Sequence, residues 1–320
     1  TSGSDSTGMG SSISEFASVQ AALNFANENQ TIHVASGTYN ENIEWPYLTS
    51  GIKLLGAGVD NSIIDGGSLG TVISIATWVD GGTASQIDTS THISGFTIQN
   101  GFGAYAGGIF LEWAGPTLTD LDIRENDGWR GAGMHVSWSW PIIRNVTIRD
   151  NEASDWGGGL YLAMTHTNLP DRKAILENVI ISGNRNTADR GGGLYMSQAA
   201  VDIIHSAIID NEITGTGYGG GLDIRDGSAV LLDGVTIANN IATSGAGIYS
   251  INGGDHIISN SIIVDNTGES QLNLGDNVIV DISYSNIAGG LNGGVIWEYT
   301  EGLTYVNNID VDPRFRDSEN

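Results

Sequence analysis

A single-stranded, right-handed parallel β-helix, an all-β solenoid with a short capping α-helix at its N-terminal end, is the fold this sequence predicts. Three observations predict it. The first is a recurring glycine block: Gly157-Gly158-Gly159-Leu160-Tyr161 returns as Gly191-Gly192-Gly193-Leu194-Tyr195 and Gly219-Gly220-Gly221-Leu222-Asp223, with looser copies ending at Gly108, Gly133 and Gly247. The last glycines are spaced by 25, 26, 34, 28 and 26 residues, a period that signals one supersecondary unit stacked repeatedly. The second is an Ile-x-x-Asn column at Asn126, Asn151, Asn184, Asn211, Asn240 and Asn266. Six residues before each asparagine stand Asp120, Asn145, Asn178, His205, Gly234 and Asn260, and eight before it Leu118, Ile143, Leu176, Ile203, Leu232 and Ile258. The third is strand periodicity, with Leu160/Leu162, Leu194/Met196 and Leu222/Ile224 alternating and no room for a helix between the short runs. Equivalent strands of successive coils then pair in parallel about 4.8 Å apart. Asparagine tolerates left-handed turns, so each ladder Asn is expected to turn the chain while its amide bonds to the coils above and below.

Taken in order, Thr1–Ser14 is a Ser/Gly-rich leader. Phe16, Val19, Leu23 and Ala26 fall at helical spacing, so a short amphipathic helix is expected over 16–27, with Ser14 as N-cap and Glu15 in the first turn. Its place is over the open end of the first coil, where strand edges and apolar core would otherwise meet water. Thr31–Val34 reads as the first strand, followed by Ser36-Gly37-Thr38-Tyr39. Gly51–Gly58, Ser62–Gly66 and Val72–Ile75 supply further strands, and Gly81–Thr91 a polar loop. Regular coils are expected from Ile93 to about Asn266, with Tyr284–Gly294 as one more. The 34-residue interval before Gly193 holds extra residues, Met164 to Lys173, expected to protrude as a loop. The domain reading is a leader and cap at 1–30 and one solenoid at 31–320.

The Gly-Gly-Gly-Leu-Tyr and Ile-x-x-Asn coils resemble the pectin-lyase-like β-helix superfamily, especially its bacterial surface and secreted members. The helix, strand and Gly37-Thr38-Tyr39 turn are similar to the entry coil of that superfamily. The resemblance covers nearly the whole chain and implies an extracellular or cell-surface location. Asp312-Pro313-Arg314-Phe315 resembles a segment after which members continue, which implies a longer protein, with a continuation domain or self-association at the C-terminal end. The superfamily's catalytic signatures do not accompany the fold: there is no Gly-His-Gly, no paired Asp-Asp, no Arg-x-Pro-x-x-Arg and no Asp-Pro-His-Asp. No catalytic residue is therefore carried over by motif.

Composition narrows the partners. The 37 acidic and 12 basic residues leave a formal net charge of -25, which argues against nucleic acid. The same charge suits cations such as Ca²⁺, or simply an acidic, solubilising surface. Without cysteine there is neither a disulfide framework nor a thiolate metal site. No run of apolar residues is long enough for a membrane span. A first residue of Thr1 fits a mature or trimmed secreted form.

Stacking turns each offset in the repeat into a ladder. Two residues after the last glycine, side chains expected to point outward are Phe110, His135, Tyr161, Tyr195, Asp223 and Tyr249. Two further on stand Glu112, Ser137, Ala163, Ser197, Arg225 and Ile251. Three before the last glycine come Tyr105, Arg130, Trp156, Arg190, Tyr218 and Ser244, and four before it, in the middle coils, Trp129, Asp155, Asp189 and Gly217. Flat rings offer apolar surface to sugars, while Arg, Asp and His bond hydroxyls or carboxylates. On that reading Tyr105, Arg130, His135, Trp156, Tyr161, Arg190, Tyr195 and Tyr218 bind polysaccharide, with Trp113, Trp138 and Trp140 adding aromatic surface close to the long loop. The other reading is that stacked rings and Arg–aromatic neighbours brace the solenoid. Asp155 and Asp189, one coil apart, are expected within about 5 Å, a separation that suits a retaining glycosidase pair or a shared Ca²⁺; pairing with Arg130 and Arg190 is the alternative. Asp223 with Arg225 could supply the base and the carboxylate-neutralising group of a lyase, or be an exposed ion pair of little weight. His135 and His205 lack metal-ligand spacing. Three functions remain open: a surface protein contacting extracellular polysaccharide, a lyase or hydrolase, and a non-binding structural or adhesive module similar to polymorphic outer-membrane adhesins.

Overall fold

The structure, a computed structural model, describes residues 3–5, 8–10, 14–77, 87–164, 173–297 and 302–315. Among them the chain is an all-β solenoid of three parallel sheets with 18, 5 and 10 strands. One coil shows the plan: Thr117–Arg124 lies in the broad sheet, Asp127–Arg130 in the narrow one and Met134–Ser137 in the third. The next coil repeats it in register, with Leu118 beside Ile143, Met134 beside Leu160 and His135 beside Tyr161. The apolar column read eight residues before each asparagine runs unbroken from Leu118 through Ile143, Leu176, Ile203 and Leu232 to Ile258.

Each corner has its own chemistry. Asp120, Asn145, Asn178, His205, Gly234 and Asn260 all have φ between 48° and 67°, which bends the broad strand and explains a column of small or polar residues. The corner at the asparagine ladder differs from expectation. Left-handed φ belongs to the residue before each ladder position, Glu125, Asp150, Gly183, Asp210, Asn239 and Asp265. These six residues are exposed, whereas each ladder Asn is buried. The reason is division of labour: the turn residue points out, so the next side chain can point in and hydrogen-bond. The Nδ2 atoms of Asn126, Asn151, Asn184, Asn211 and Asn240 donate to the next Asn Oδ1 at 2.9–3.0 Å.

The glycine block is the other half of the same contact. Gly157 has φ +67°, a Cβ on Gly158 would lie 2.2 Å from the Gly192 carbonyl oxygen, and one on Gly159 would lie 2.8 Å from Asn184 Nδ2. The two columns that mark the repeat in sequence therefore touch in space.

A continuous apolar core runs through the coils from Val19 to Ile287. The helix spans Val19–Phe25, shorter than expected, and its N-cap is Ser18, whose side chain accepts from the Ala21 N–H. Ser14 is displaced from that role by distant carboxylates. Asp5 accepts from the N–H groups of Ala17 and Ser18, and Glu41 from those of Val19 and Gln20. Val19 and Leu23 enter the core, as the capping role requires. At the other end the coils continue past Asn266, through Val278–Ser283 and Val295–Trp297 to Leu303–Val306. The loop expected at 81–91 lies outside the described residues up to 86, and the loop expected at 164–173 lies outside them from 165 to 172. No helix among the described residues is long and apolar enough to cross a membrane.

Candidate functional site

Along each strand of the third sheet the residues alternate between the core and the outer face. Leu160 and Leu162 enter the core, while Tyr161, Ala163 and Tyr195 form a separate cluster with Trp156 packed against it. Phe110, His135, Tyr161, Tyr195, Asp223 and Tyr249 stand in register up the outer face. The column across the glycine corner is also in register, from Arg130 through Trp156, Arg190 and Tyr218 to Ser244.

The two columns interleave. His135 stacks on Tyr161 at 4.5 Å, Tyr161 on Tyr195 at 5.3 Å, and Trp156 on Tyr195 at 5.1 Å. The guanidinium groups of Arg130 and Arg190 lie 4.1 and 5.1 Å from the Trp156 ring centroid. Side chains expected to point outward do point away from the core, but this second layer covers them, and Tyr195 is only 2% exposed. The rings that reach solvent are Trp129 at 58%, Tyr105 at 49% and Tyr218 at 40%. Trp129 owes its position to a register shift between Gly128 and Arg130, where the facing strand gains one residue; such bulges re-aim side chains.

Burial sets the titration of the inner column. It holds the His135 imidazole down at about 4, with Nδ1 3.1 Å from the Arg130 carbonyl oxygen. It pushes the Tyr195 phenol up to about 12. Asp223 is fully buried, and its carboxylate accepts from Arg225 Nε at 2.7 Å and Nη2 at 3.0 Å. Burial pushes the Asp223 carboxyl up to about 7, and the Arg225 guanidinium opposes that rise. Arg225 in turn lies 5.1 Å from the Tyr249 ring and 5.6 Å from that of Tyr218. The ion pair expected at the surface is thus a buried one, because the aromatic neighbours close over it.

The carboxylates one coil apart each meet arginine. Asp155 accepts from Arg130 Nε at 2.6 Å, and Asp189 lies 3.8 Å from Arg190 Nε. That Nε has no hydrogen-bond partner among the described residues. Nothing at this pair supports Ca²⁺: Asp155 is committed to Arg130, and among the described residues no three His, Cys, Asp or Glu side chains group to hold a metal ion. His205 stands apart, in the left-handed column of the broad sheet.

At the far end of the third-sheet strands, the tryptophans expected to add surface close to the long loop gather at a corner of the coils. Trp113 and Trp138 stack at 4.9 Å with an interplanar angle of 9°, and Trp140 is half-buried beyond them, with its Nε1 2.7 Å from where a Cβ on Gly115 would lie. Both stacked residues have left-handed φ, as do Met164, Gln198, Asp226 and Asn252 at the same offset in later coils. Asp226 and Asn252 were the available signal, since these residue types mark left-handed turns.

Comparison with known proteins places this geometry. The family described as right handed beta helix region matches residues 135–310, more than half of the chain. No curated protein matches. Among solved structures, the chain is similar to the A-module of the Azotobacter vinelandii mannuronan C-5 epimerase AlgE4, with 16% identity and a TM-score of 0.53 over 91% of this chain and 90% of that one. The A-module of AlgE6 from the same organism gives 12% identity and a TM-score of 0.40 over 92% and 95% of the two chains. Escherichia coli ybhc gives 14% and 0.34 over 97% and 84%. At such identities the AlgE4 likeness shows the fold.

Proposed function

Since the chain belongs to the right-handed β-helix family, we propose that it is a secreted or cell-surface protein whose outer coil edge contacts extracellular polysaccharide. The observation that carries this reading is the set of exposed rings, Tyr105, Trp129 and Tyr218, beside Arg130–Asp155 and Asp189–Arg190. Exposed rings supply apolar faces for sugars, and the half-exposed charges beside them supply hydrogen bonds to hydroxyls. The buried column of His135, Tyr161 and Tyr195 serves as the foundation on which Trp156 and the arginines are held. The fold likeness to a mannuronan C-5 epimerase module supports polysaccharide as the partner class.

If turnover accompanies binding, Asp189 is the carboxylate to carry it, because Asp155 is tied to Arg130 and Asp223 is closed off with Arg225. The purely structural reading keeps one observation in its favour: most rings and guanidinium groups of the ladder already have one another as partners.

A glycan array beside lyase and reducing-sugar assays separates these readings. Trp129→Ala and Tyr105→Ala are expected to weaken glycan binding at least tenfold, Trp129→Ala leaving the melting curve in place and Tyr105→Ala costing about 1 kcal/mol for its ring contacts with Phe110 and His135. Tyr195→Ala, by contrast, is expected to cost about 3 kcal/mol of stability, as for other buried rings. A wild-type protein that retains no glycan, or unchanged binding in both surface variants, removes the proposal.

A further inference from the structure

Seven consecutive coils turn at the far end of the third sheet with the same backbone. Trp113, Trp138, Met164 and Gln198 have φ of 55°, 53°, 55° and 51°, and Asp226, Asn252 and Asn277 have 56°, 67° and 61°. Asp and Asn suit this conformation because their short polar side chains bond locally, and Asn252 Nδ2 does donate to Asp226 Oδ1 at 2.9 Å. A bulky side chain in the same conformation costs about 1–2 kcal/mol. The later coils show that the corner closes without tryptophan. The stack of Trp113 on Trp138 is worth about 0.5–1.5 kcal/mol, which does not offset the strain at two positions. Strain kept against an available alternative points to a use for the side chain.

The surroundings say what that use is. Glu112 and Ser137 stand beside the pair in register, both half-buried, and the next position in that column is the small Ala163. The Glu112 carboxylate has no hydrogen bond or ion pair among the described residues, and burial holds its carboxyl above the usual range. The Ser137 hydroxyl adds a second polar group. Among the described residues the charges at this edge are Glu112, Asp226 and Arg225, and Arg225, in the same column as Glu112, is already tied to the buried Asp223, which leaves the edge acidic. With a net charge of -25 behind it, such an edge repels an anionic sugar.

We propose that the Trp113–Trp138 corner, with Glu112 and Ser137, is a binding platform for the pyranose rings of an uncharged polysaccharide. The stacked indoles offer their outer faces and edges to the apolar C–H face of the sugar, and Glu112 and Ser137 bond its hydroxyls. The proposal rests on the polysaccharide reading above and names the ligand class for a second contact point, across the third sheet from Tyr105 and Trp129.

The test is Trp113→Asn/Trp138→Asn, which installs the residue type that later coils use. Binding of cellohexaose and mannohexaose is measured by calorimetry, beside a hexamer of mannuronate, with Trp129→Ala and Trp138→Phe in parallel. The expected result is a melting temperature unchanged or raised, at least tenfold weaker binding of a neutral hexamer by the Asn variant, and retention by Trp138→Phe. A lowered melting temperature with binding intact makes the pair a brace and overturns the proposal. Preference for the mannuronate hexamer overturns its uncharged class. Loss in Trp129→Ala alone removes the corner but keeps the wider reading, whereas no binding of any glycan by wild type removes both.

Discussion

Two columns of one residue per coil run up this solenoid, and they make opposite demands on the sequence. The interior ladder from Asn126 to Asn266 is asparagine in all six coils; all six are buried, and the four inner amides each lie between two others. The corner beyond the third sheet is left-handed in seven coils, yet holds Trp, Trp, Met, Gln, Asp, Asn and Asn. Backbone conformation is shared along both columns, so conformation alone does not dictate identity. A closed chain of buried hydrogen bonds does, because a buried group has no water to replace a lost partner. At the surface corner an unsuitable residue costs only local strain, and its side chain is free for other work.

The largest effect that sharpens this contrast comes from Asn184→Leu. Asn184 Nδ2 donates to the Ile148 carbonyl at 2.9 Å and to Asn211 Oδ1 at 3.0 Å, while its Oδ1 accepts from the backbone and side chain of Asn151. Leucine would orphan several of these groups at about 1–3 kcal/mol each, so a loss of about 3 kcal/mol or more is expected in urea unfolding. A midpoint within error of wild type would show that the ladder is not what fixes asparagine at this column.

How much of this was legible follows from the same contrast. The glycine block and the Asn column could be read because they are one contact seen twice, with Gly159 backed against Asn184. The column from Asp120 to Asn260 shows in the sequence as small polar residues without declaring its bend, and at the ladder the left-handed φ expected of each Asn belongs to the residue before it. The burial of Tyr195 and Asp223 was not legible. Their offset gives the face they occupy, but what covers them comes from across the glycine corner, at an angle no spacing reports. The helix cap was hidden for a similar reason, since Glu41 reaches Val19 and Gln20 from 22 and 21 residues away.

The aromatic column lies between the two extremes, buried but without a hydrogen-bond chain, and His135 tests what it tolerates. Its ring packs against Tyr105, Phe110 and Tyr161, with Arg130 nearby. Burial lowers its pKa from 6.5 to about 4. The unfolded chain therefore binds a proton at this residue below about pH 6.5, while the folded chain does not until about pH 4. More protons on the unfolded state means that stability falls as the pH drops through that window, on the order of 2–3 kcal/mol by its lower end. His135→Phe keeps the ring and removes the proton, so its melting temperature should fall less than that of wild type between pH 6.5 and 4. His256, also held at about 4 by burial, keeps its own share of the fall. Parallel pH profiles for the two proteins would mean that His135 is already protonated in the fold.

The smallest expected effect has the opposite sign and falls on the permissive corner. Gln198 has φ 51° and an exposed side chain, and its neighbours up the column are Asp226 and Asn252. Glutamine's extra methylene prevents the local bond that stabilises asparagine in this conformation. Gln198→Asn places an amide where Asp226 already accepts from Asn252 and from the Ser197 hydroxyl. Relief of strain should raise stability by about 0.5–1 kcal/mol, seen as a melting temperature higher by roughly 1–2 °C. The same residue type would then be indispensable at Asn184 and merely better at position 198, two positions of one coil that differ in what surrounds the side chain. If Gln198→Asn instead destabilises the protein, the surface corner is constrained by side-chain packing after all, and the difference between the columns narrows to one of degree.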